Sequence, residues 1–148
     1  MDELLLTEDD VIDAVCEFLE GRGYEIAQRA RTTQRGIDIV ARKSSARPRE
    51  LYVEAKGATS ARAGSARFGR PFDSAQVSVH VAEAFYTAAV ATTRNAQRDE
   101  VLSAMALPDN DLHRKFVRGI QPVLDRLKIG VFWVSPSKEV RLESRWEL

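Results

Sequence analysis

Two short apolar segments constrain the fold of this chain more than any other feature. The first, residues 36–41 (GIDIVA), alternates as a β-strand does, but an acid, Asp38, stands inside it. The second, residues 51–56 (LYVEAK), alternates in the same way, so Glu54 and Lys56 share one face. A basic, polar turn joins the two segments. The pattern predicts a hairpin that brings Asp38, Glu54 and Lys56 together on one face.

Hydrophobic periodicity predicts the elements on either side. Thr7, followed by three acids, is typical of a helix N-cap, and Gly21 and Gly23 are expected to end that helix. The remaining expected elements are a strand at 24–29, a helix at 73–91, helices at about 95–106 and 109–127, and strands at 129–134 and 139–142. In the 73–91 helix, the residues expected to face inward are Ala75, Val79, Ala82, Phe85, Tyr86 and Ala89.

The order of these elements predicts an α/β fold in a single domain spanning residues 1–148. An αβββα core is followed by C-terminal helices and a ββ pair, which gives a mixed β-sheet flanked by helices. A loop at about 57–72, rich in Gly, Ala, Ser and Arg, is expected to be mobile because it can bury little apolar surface.

The residues on the expected hairpin suit metal-assisted chemistry. Two nearby carboxylates raise each other's pKa unless a cation lies between them. Ligation by oxygen alone favours a hard ion such as Mg²⁺. A bound metal can polarise a phosphoryl oxygen and activate a water, and a neighbouring lysine adds a positive charge. Asp38, Glu54 and Lys56 therefore indicate hydrolysis of a phosphodiester. The alternative is that Glu54 and Lys56 form an ordinary exposed pair on an edge strand.

At these residues the sequence resembles the PD-(D/E)XK nuclease superfamily, which has the restriction-endonuclease-like fold. The Asp and Glu-x-Lys signature of that superfamily appears here as Asp38 and Glu54-Ala55-Lys56. The sequence is most similar to the branch of archaeal Holliday-junction resolvases and Mrr-type restriction proteins. In that branch a glycine commonly precedes the aspartate, as Gly36 does here, and the usual proline is missing.

The resemblance implies a role for each residue of the motif. Asp38 and Glu54 would bind Mg²⁺ or Mn²⁺ together with the backbone carbonyl of Ala55. Lys56 would be catalytic, and Gln76, on the next helix, would support the site. A surface position is the alternative for Gln76.

Other chemically capable residues have weaker signals. Many relatives carry an extra acid on the first helix, for which Asp13 is the first candidate and Glu17 the second, although a solvated helix face explains both. His80 and His113 have no metal-ligand spacing and are expected to be structural or exposed. Cys16 is the only cysteine, which excludes an internal disulfide and a cysteine-based zinc site.

Charge is distributed unevenly along a chain whose formal net charge is zero. Residues 1–25 hold nine acids and one base, whereas residues 29–70 hold eleven bases and three acids. A basic stretch of this kind can bind phosphates. The residues expected to bind nucleic acid are Arg35, Arg42, Lys43, Arg62, Arg67 and Arg70. The alternative is that the acidic first helix simply pairs with the basic segment.

The leading hypothesis is a divalent-metal-dependent endonuclease acting on DNA, either duplex or branched; RNA presents the same phosphates. Cutting both strands would require a homodimer, for which one surface helix could supply a two-fold interface. The absence of a long apolar run and of a signal peptide favours a cytoplasmic protein that does not enter membranes. The alternatives are a catalytically inactive nuclease-fold domain for binding nucleic acid or protein, and a regulatory protein whose acidic N-terminal helix docks on a basic partner.

Overall fold

The computed structural model describes residues 5–30, 36–45, 47, 49–60 and 69–148. Its elements, in chain order, are α1 (Glu8–Glu20), β1 (Glu25–Arg29), β2 (Ile39–Lys43), β3 (Arg49–Ala55), α2 (Ser74–Arg94), β4 (Val101–Pro108), α3 (Asp111–Arg118), α4 (Gln121–Leu127), β5 (Ile129–Val134) and β6 (Val140–Glu143). No helix in these ranges is both long enough and apolar enough to cross a bilayer.

The six strands form one mixed sheet in the order β1-β2-β3-β4-β5-β6. The first three strands are antiparallel, β3, β4 and β5 are parallel, and β6 closes the sheet antiparallel to β5. The carboxyl ends of β3, β4 and β5 consequently meet at one edge of the sheet. We call this edge the carboxyl edge and the opposite one the amino edge.

Helices cover both faces of the sheet. Helix α1 packs on one face over Ile39, Leu51, Val53 and Phe132. The helices α2, α3 and α4 share the other face, where the core includes Met105, Leu107, Val131 and Trp133. This three-layer arrangement confirms the expected restriction-endonuclease-like α/β architecture.

Strand β4 corrects one expectation. The helix expected at about 95–106 is absent, and Val101–Pro108 forms a strand between β3 and β5 instead. Alanine, methionine and leucine dominate this segment and favour a helix locally. A central parallel strand is buried on both faces, so it appears in sequence as a continuous apolar run without alternation. Burial of six consecutive residues, from Ser103 to Pro108, outweighs the helix propensity.

Helix α2 corrects a second expectation, because a different face of it is buried. Val77, Val81, Ala84, Ala88 and Ala91 pack against the sheet. Val79 and Tyr86, which were expected inside, are 54% and 71% exposed. The helix has two apolar stripes and few charges, so periodicity alone could not identify the stripe that meets the core.

Candidate active site

Asp38 is fixed at the carboxyl edge, immediately before β2. Its backbone carbonyl accepts a hydrogen bond from the amide of Ala30 at 2.7 Å. Its Oδ2 accepts one from the amide of Ala55 on β3 at 2.8 Å. The side chain is buried, with 6% of the residue exposed. These two hydrogen bonds, one to the main-chain carbonyl and one to the side chain, connect Asp38 to the chain on either side of β2 and hold its carboxylate in a fixed position.

Glu54 lies against Asp38 from the neighbouring strand. Its side chain hydrogen-bonds with Asp38 and accepts a hydrogen bond from the hydroxyl of Thr87 on α2. Burial, followed by the hydrogen bond with Asp38 and its negative charge, raises the pKa of Glu54 well above its ordinary value. The contact with Asp38 therefore favours the protonated form of Glu54.

Glu8, on the first turn of α1, is a third carboxyl group at this position. It too hydrogen-bonds with Asp38. Burial, together with the charge of Asp38, raises the pKa of Glu8 to about 7. We call Glu8, Asp38 and Glu54 the acid cluster. The sequence marked Glu8 only as one of the three acids that follow the N-cap Thr7, so its contact with Asp38 was missed.

Glu8 is the acid of α1 that hydrogen-bonds with Asp38, whereas the role expected for Asp13 stays a prediction. The structure turns Asp13 outward, where its carboxylate pairs with Arg29 at 3.1 Å. Glu17, the second candidate, is also exposed.

Gly57 allows α1 to approach the end of β3. A Cβ at this position would lie 2.4 Å from the amide nitrogen of Glu8 and 2.7 Å from the carbonyl carbon of Thr7. The amide of Ala58 donates to the carbonyl of Leu6 at 2.7 Å in the same crossing. Since no side chain fits there, the glycine after the Glu-x-Lys motif lets the backbone of α1 bring Glu8 to Asp38.

Lys56 is held by an acid on α2. Its Nζ lies 2.7 Å from Oε2 of Glu83, and the lysine is mostly buried, whereas Glu83 is half exposed. The hydrogen bond from Lys56 lowers the pKa of Glu83. Glu83 and Thr87 are four residues apart on α2, a rise of about 6 Å. This matches the roughly 6.6 Å between Lys56 and Glu54 along the strand, so both side chains of the motif meet α2 in register.

His80 lies one turn before Glu83 and adjoins the same lysine. Burial, and then the positive charge of Lys56, lowers the pKa of His80. The ring meets Phe72 edge-on with 4.5 Å between centroids, and its Nδ1 is buried without a hydrogen-bond partner. The sequence treated His80 as structural or exposed, and its proximity to Lys56 had no signal in the spacing of histidines.

Comparison with known proteins identifies the family to which this arrangement belongs. A family model described as restriction endonuclease, the Mrr catalytic domain, matches residues 6–104, which is more than half of the chain. The chain belongs to this restriction endonuclease family. The matched segment runs from the start of α1 into β4 and contains the whole acid cluster, Lys56 and Glu83.

A solved structure supports the fold of this Mrr-type domain. The crystal structure of an XisH family protein from Nostoc punctiforme is similar over 93% of this chain and 97% of that one, with a TM-score of 0.51 and 12% sequence identity. At that identity the likeness concerns the fold alone. No curated protein sequence matches the chain significantly.

Gln76 has a structural contact in this Mrr-type domain. Its side-chain Oε1 accepts a hydrogen bond from the backbone amide of Asp73, and its backbone amide donates one to the Asp73 carboxylate. The two hydrogen bonds form a capping box at the start of α2. Gln76 lies seven residues before Glu83 on α2. The supporting role in the active site expected for Gln76 stays a prediction.

The basic residues expected to bind DNA are not all near the acid cluster. Arg42 and Lys43 lie at the amino edge, where Arg42 pairs with Glu50 at 3.2 Å and Lys43 faces the ring of Tyr24. Arg70 is exposed just before α2. Arg35, Arg62 and Arg67 lie outside the described residues, as does most of the loop expected at 57–72.

The acid cluster fits a divalent metal by its chemistry. In the described ranges no three His, Cys, Asp or Glu side chains are spaced as a ready-made metal cage. Glu8 and Glu54 each hydrogen-bond with Asp38. A divalent cation between these carboxyl groups would offset their mutual repulsion, and the oxygen-only donors suit Mg²⁺ or Mn²⁺.

Proposed function

We propose that this Mrr-type domain is a divalent-metal-dependent endonuclease that hydrolyses DNA phosphodiester bonds. The observation that carries the proposal is the acid cluster, in which two carboxyl groups with raised pKa values contact buried Asp38 beside a lysine. Structural ion pairs usually neutralise buried carboxylates. Here the acids face one another, at a cost in stability that a functional site explains.

Each side chain of the site has a distinct role in the proposal. Asp38, Glu54 and Glu8 would hold Mg²⁺ or Mn²⁺, and the carbonyl of Ala55 is a further ligand implied by the family. When bound, the ion supplies a Lewis acid and a water of lowered pKa. Lys56 places its ammonium against the scissile phosphate or the attacking water and offsets negative charge that develops in the transition state. Glu83 positions Lys56, and Thr87 positions Glu54.

DNA would be bound through its phosphates. Arg70, which is exposed just before α2, and the basic residues within 31–35 and 61–68 are candidates for these contacts. Because each neutralised phosphate releases counterions, affinity should fall steeply as salt rises. Each protomer carries one acid cluster, so cleavage of both strands would use two copies of the chain.

Cleavage of a plasmid and of a panel of branched DNAs with Mg²⁺ or Mn²⁺ tests the proposal. Wild type should cut only with metal, and Glu54→Ala and Lys56→Ala should each abolish cutting while the protein remains folded. An RNA substrate and a single-stranded DNA in the same panel define the substrate class. A folded wild type that neither cuts nor binds metal would overturn the proposal and favour a nucleic-acid-binding domain without turnover.

A further inference from the structure

Helix α2 carries a stripe of polar side chains beside its buried face. Its members follow spacings of four, three and four residues, which place them on one side of the helix. We call them the polar stripe: Gln76, His80, Glu83 and Thr87. Between residues 76 and 91 the other side chains with polar groups are Ser78 and Tyr86, and both are exposed away from this stripe. Two members, Glu83 and Thr87, already contact residues of the Glu-x-Lys motif.

The direction of α2 carries the polar stripe past the end of β3. Thr87 meets Glu54 and Glu83 meets Lys56, so α2 runs antiparallel to β3. The step back along α2 from Glu83 to His80 therefore continues about 4.5 Å further in the direction in which β3 leaves the sheet. His80 consequently lies beyond the acid cluster and adjoins Lys56.

The imidazole of His80 has one ring nitrogen available to a ligand. Its ring packs edge-on against Phe72, with 4.5 Å between the centroids, and this contact fixes its orientation. Nδ1 is buried and has no hydrogen-bond partner in the part of the chain that the structure describes. His80 as a whole is only partly buried, so Nε2 is the ring nitrogen that a bound molecule can reach. Because a buried N–H without an acceptor is costly, the tautomer with its proton on Nε2 is favoured.

His80 is an uncharged donor at pH 8. Burial, and then the positive charge of Lys56, lowers the pKa of His80 from its ordinary value of 6.5, so the imidazole does not carry a proton on both nitrogens at that pH. A neutral N–H can bond to an anionic oxygen without placing a second positive charge beside Lys56. Hydrogen bonds to charged groups are stronger than those between neutral groups. The chemistry of His80 thus suits a phosphate oxygen.

We propose that His80 donates a hydrogen bond from Nε2 to a non-bridging oxygen of the phosphate next to the scissile one. The inference rests on the proposed function, in which the acid cluster and Lys56 take the scissile phosphate. Seven residues of α2, or about 10 Å, separate His80 from Thr87, so His80 reaches past the phosphate held at Glu54. Contacts to phosphates fix the register of a strand on a protein. His80 is therefore a residue that binds the DNA strand and takes no part in the chemical step.

Steady-state cleavage of DNA at pH 8 tests the contact. His80→Ala should raise KM about tenfold and change kcat by less than about twofold, because it removes binding that the substrate and the transition state share. His80→Gln should restore KM to within about threefold of wild type, since its side-chain amide supplies a donor in place of Nε2. Ser78→Ala is the matched control on α2, outside the polar stripe, and should behave as wild type. An unchanged KM in His80→Ala, or a loss confined to kcat, would overturn the proposal.

Binding of a duplex oligonucleotide without metal tests the contact apart from cleavage. His80→Ala should raise Kd about tenfold at every salt concentration, with the salt dependence of wild type, because a neutral side chain releases no counterion. His80→Leu keeps apolar packing against Phe72 and should weaken binding equally, with its melting temperature showing that the protein is folded. Wild-type affinity in both variants, or a salt slope lower by about one as for a charged contact, would overturn the proposal.

The two assays separate this inference from the proposed function. A wild type that binds DNA without cutting it would contradict the nuclease, and the binding of the His80 variants would still decide the phosphate contact. A wild type that cuts DNA while the His80 variants match it in KM and Kd would overturn the contact alone. A wild type that neither cuts nor binds DNA would overturn both.

Discussion

Glu50 and Glu54 lie on the same face of the same strand, four residues apart, in opposite electrostatic situations. At the amino edge, Glu50 accepts a hydrogen bond from the hydroxyl of Tyr52 and pairs with Arg42 and Arg98. The hydrogen bond from Tyr52, ahead of the arginines, lowers the pKa of Glu50. At the carboxyl edge, Glu54 meets another acid, and its pKa is raised.

The difference distinguishes a carboxylate that is paired within the chain from one that is proposed to bind a metal. Glu50 contributes stability because its charge is satisfied within the chain. The charge of Glu54 is not satisfied without an ion, so its surroundings cost stability in the metal-free protein. At the amino edge the carboxylate is paired with arginines, as on an ordinary protein surface. At the carboxyl edge the carboxyl groups contact one another, and a bound cation would stabilise them.

Exchanging each glutamate for glutamine should separate stability from activity. Glu54→Gln should reduce cleavage by about a thousandfold, since it removes a proposed metal ligand. It should also stabilise the metal-free protein at pH 8 by roughly 1 kcal/mol, after allowance for solvent screening. Glu50→Gln should change cleavage by less than about threefold and destabilise the protein by about 1 kcal/mol. Denaturant unfolding and cleavage rates of both variants check this; effects in the same direction at both positions would break the comparison.

Gly57 tests the packing that supports the carboxyl edge. Gly57→Ala should cost about 1–3 kcal/mol, because its Cβ would overlap the backbone of α1. Displacing α1 moves Glu8, so cleavage should fall as well. Gly21→Ala is the matched control, since its nearest neighbours lie at 3.5 Å and its φ is −62°. Thermal unfolding should show the control at or slightly above wild-type stability; equal losses in both variants would contradict the close approach.

Glu83 tests the positioning of Lys56. Glu83→Gln should lower kcat about tenfold with little change in KM, because the ammonium loses its anchor while DNA binding remains. Glu100→Gln alters an acid at the amino edge that pairs with Arg98 at 3.0 Å, and its kcat should match that of wild type. Steady-state cleavage kinetics distinguish the two variants. A change confined to KM in Glu83→Gln would assign Glu83 to DNA binding instead.

Glu8 should give the smallest effect, which is visible in the pH dependence of stability. Its folded pKa of about 7 exceeds the ordinary value of 4.5, so the folded state binds its proton more tightly than the unfolded state. The contribution of Glu8 to the free energy of unfolding is therefore fully present below about pH 4.5 and is lost as the pH rises to about 7. Glu8→Gln should remove part of that decline, roughly 1 kcal/mol after allowance for solvent screening, without metal. Melting temperatures at pH 5 and pH 8 measure it, and identical pH profiles for wild type and Glu8→Gln would argue against the contact with Asp38.

The sequence was sufficient to predict those elements in which apolar and polar residues follow a regular period. The strands around Asp38 and Glu54 follow a period of two, and the start of α1 follows from Thr7, so these elements were predicted close to their observed bounds. Strand β4 could not be predicted, because burial on both faces removes alternation. The buried stripe of α2 was missed because the helix offers two apolar stripes and only the packing of the sheet selects one.

The candidate site likewise contains residues that the sequence predicts and residues that only the packing of helices brings together. The motif pointed to Asp38, Glu54 and Lys56 because they lie on, or next to the ends of, two paired strands. Glu8, Glu83 and Thr87 come from two helices whose approach depends on Gly57 and on the register of α2 against β3. No local pattern records those distances. The family match then extends from α1 into β4, but it names no individual side chain.

Calorimetric titration of Mn²⁺ into wild type, Glu54→Gln and Glu50→Gln at pH 8 tests most directly whether the acid cluster is a metal site. Wild type and Glu50→Gln should bind Mn²⁺ with the same affinity and release protons on binding, because the ion favours the ionised form of Glu54, whose pKa is raised. Glu54→Gln should bind at least about tenfold more weakly. Equal affinity in all three proteins, or no binding by wild type, would contradict the assignment of the acid cluster as the metal site.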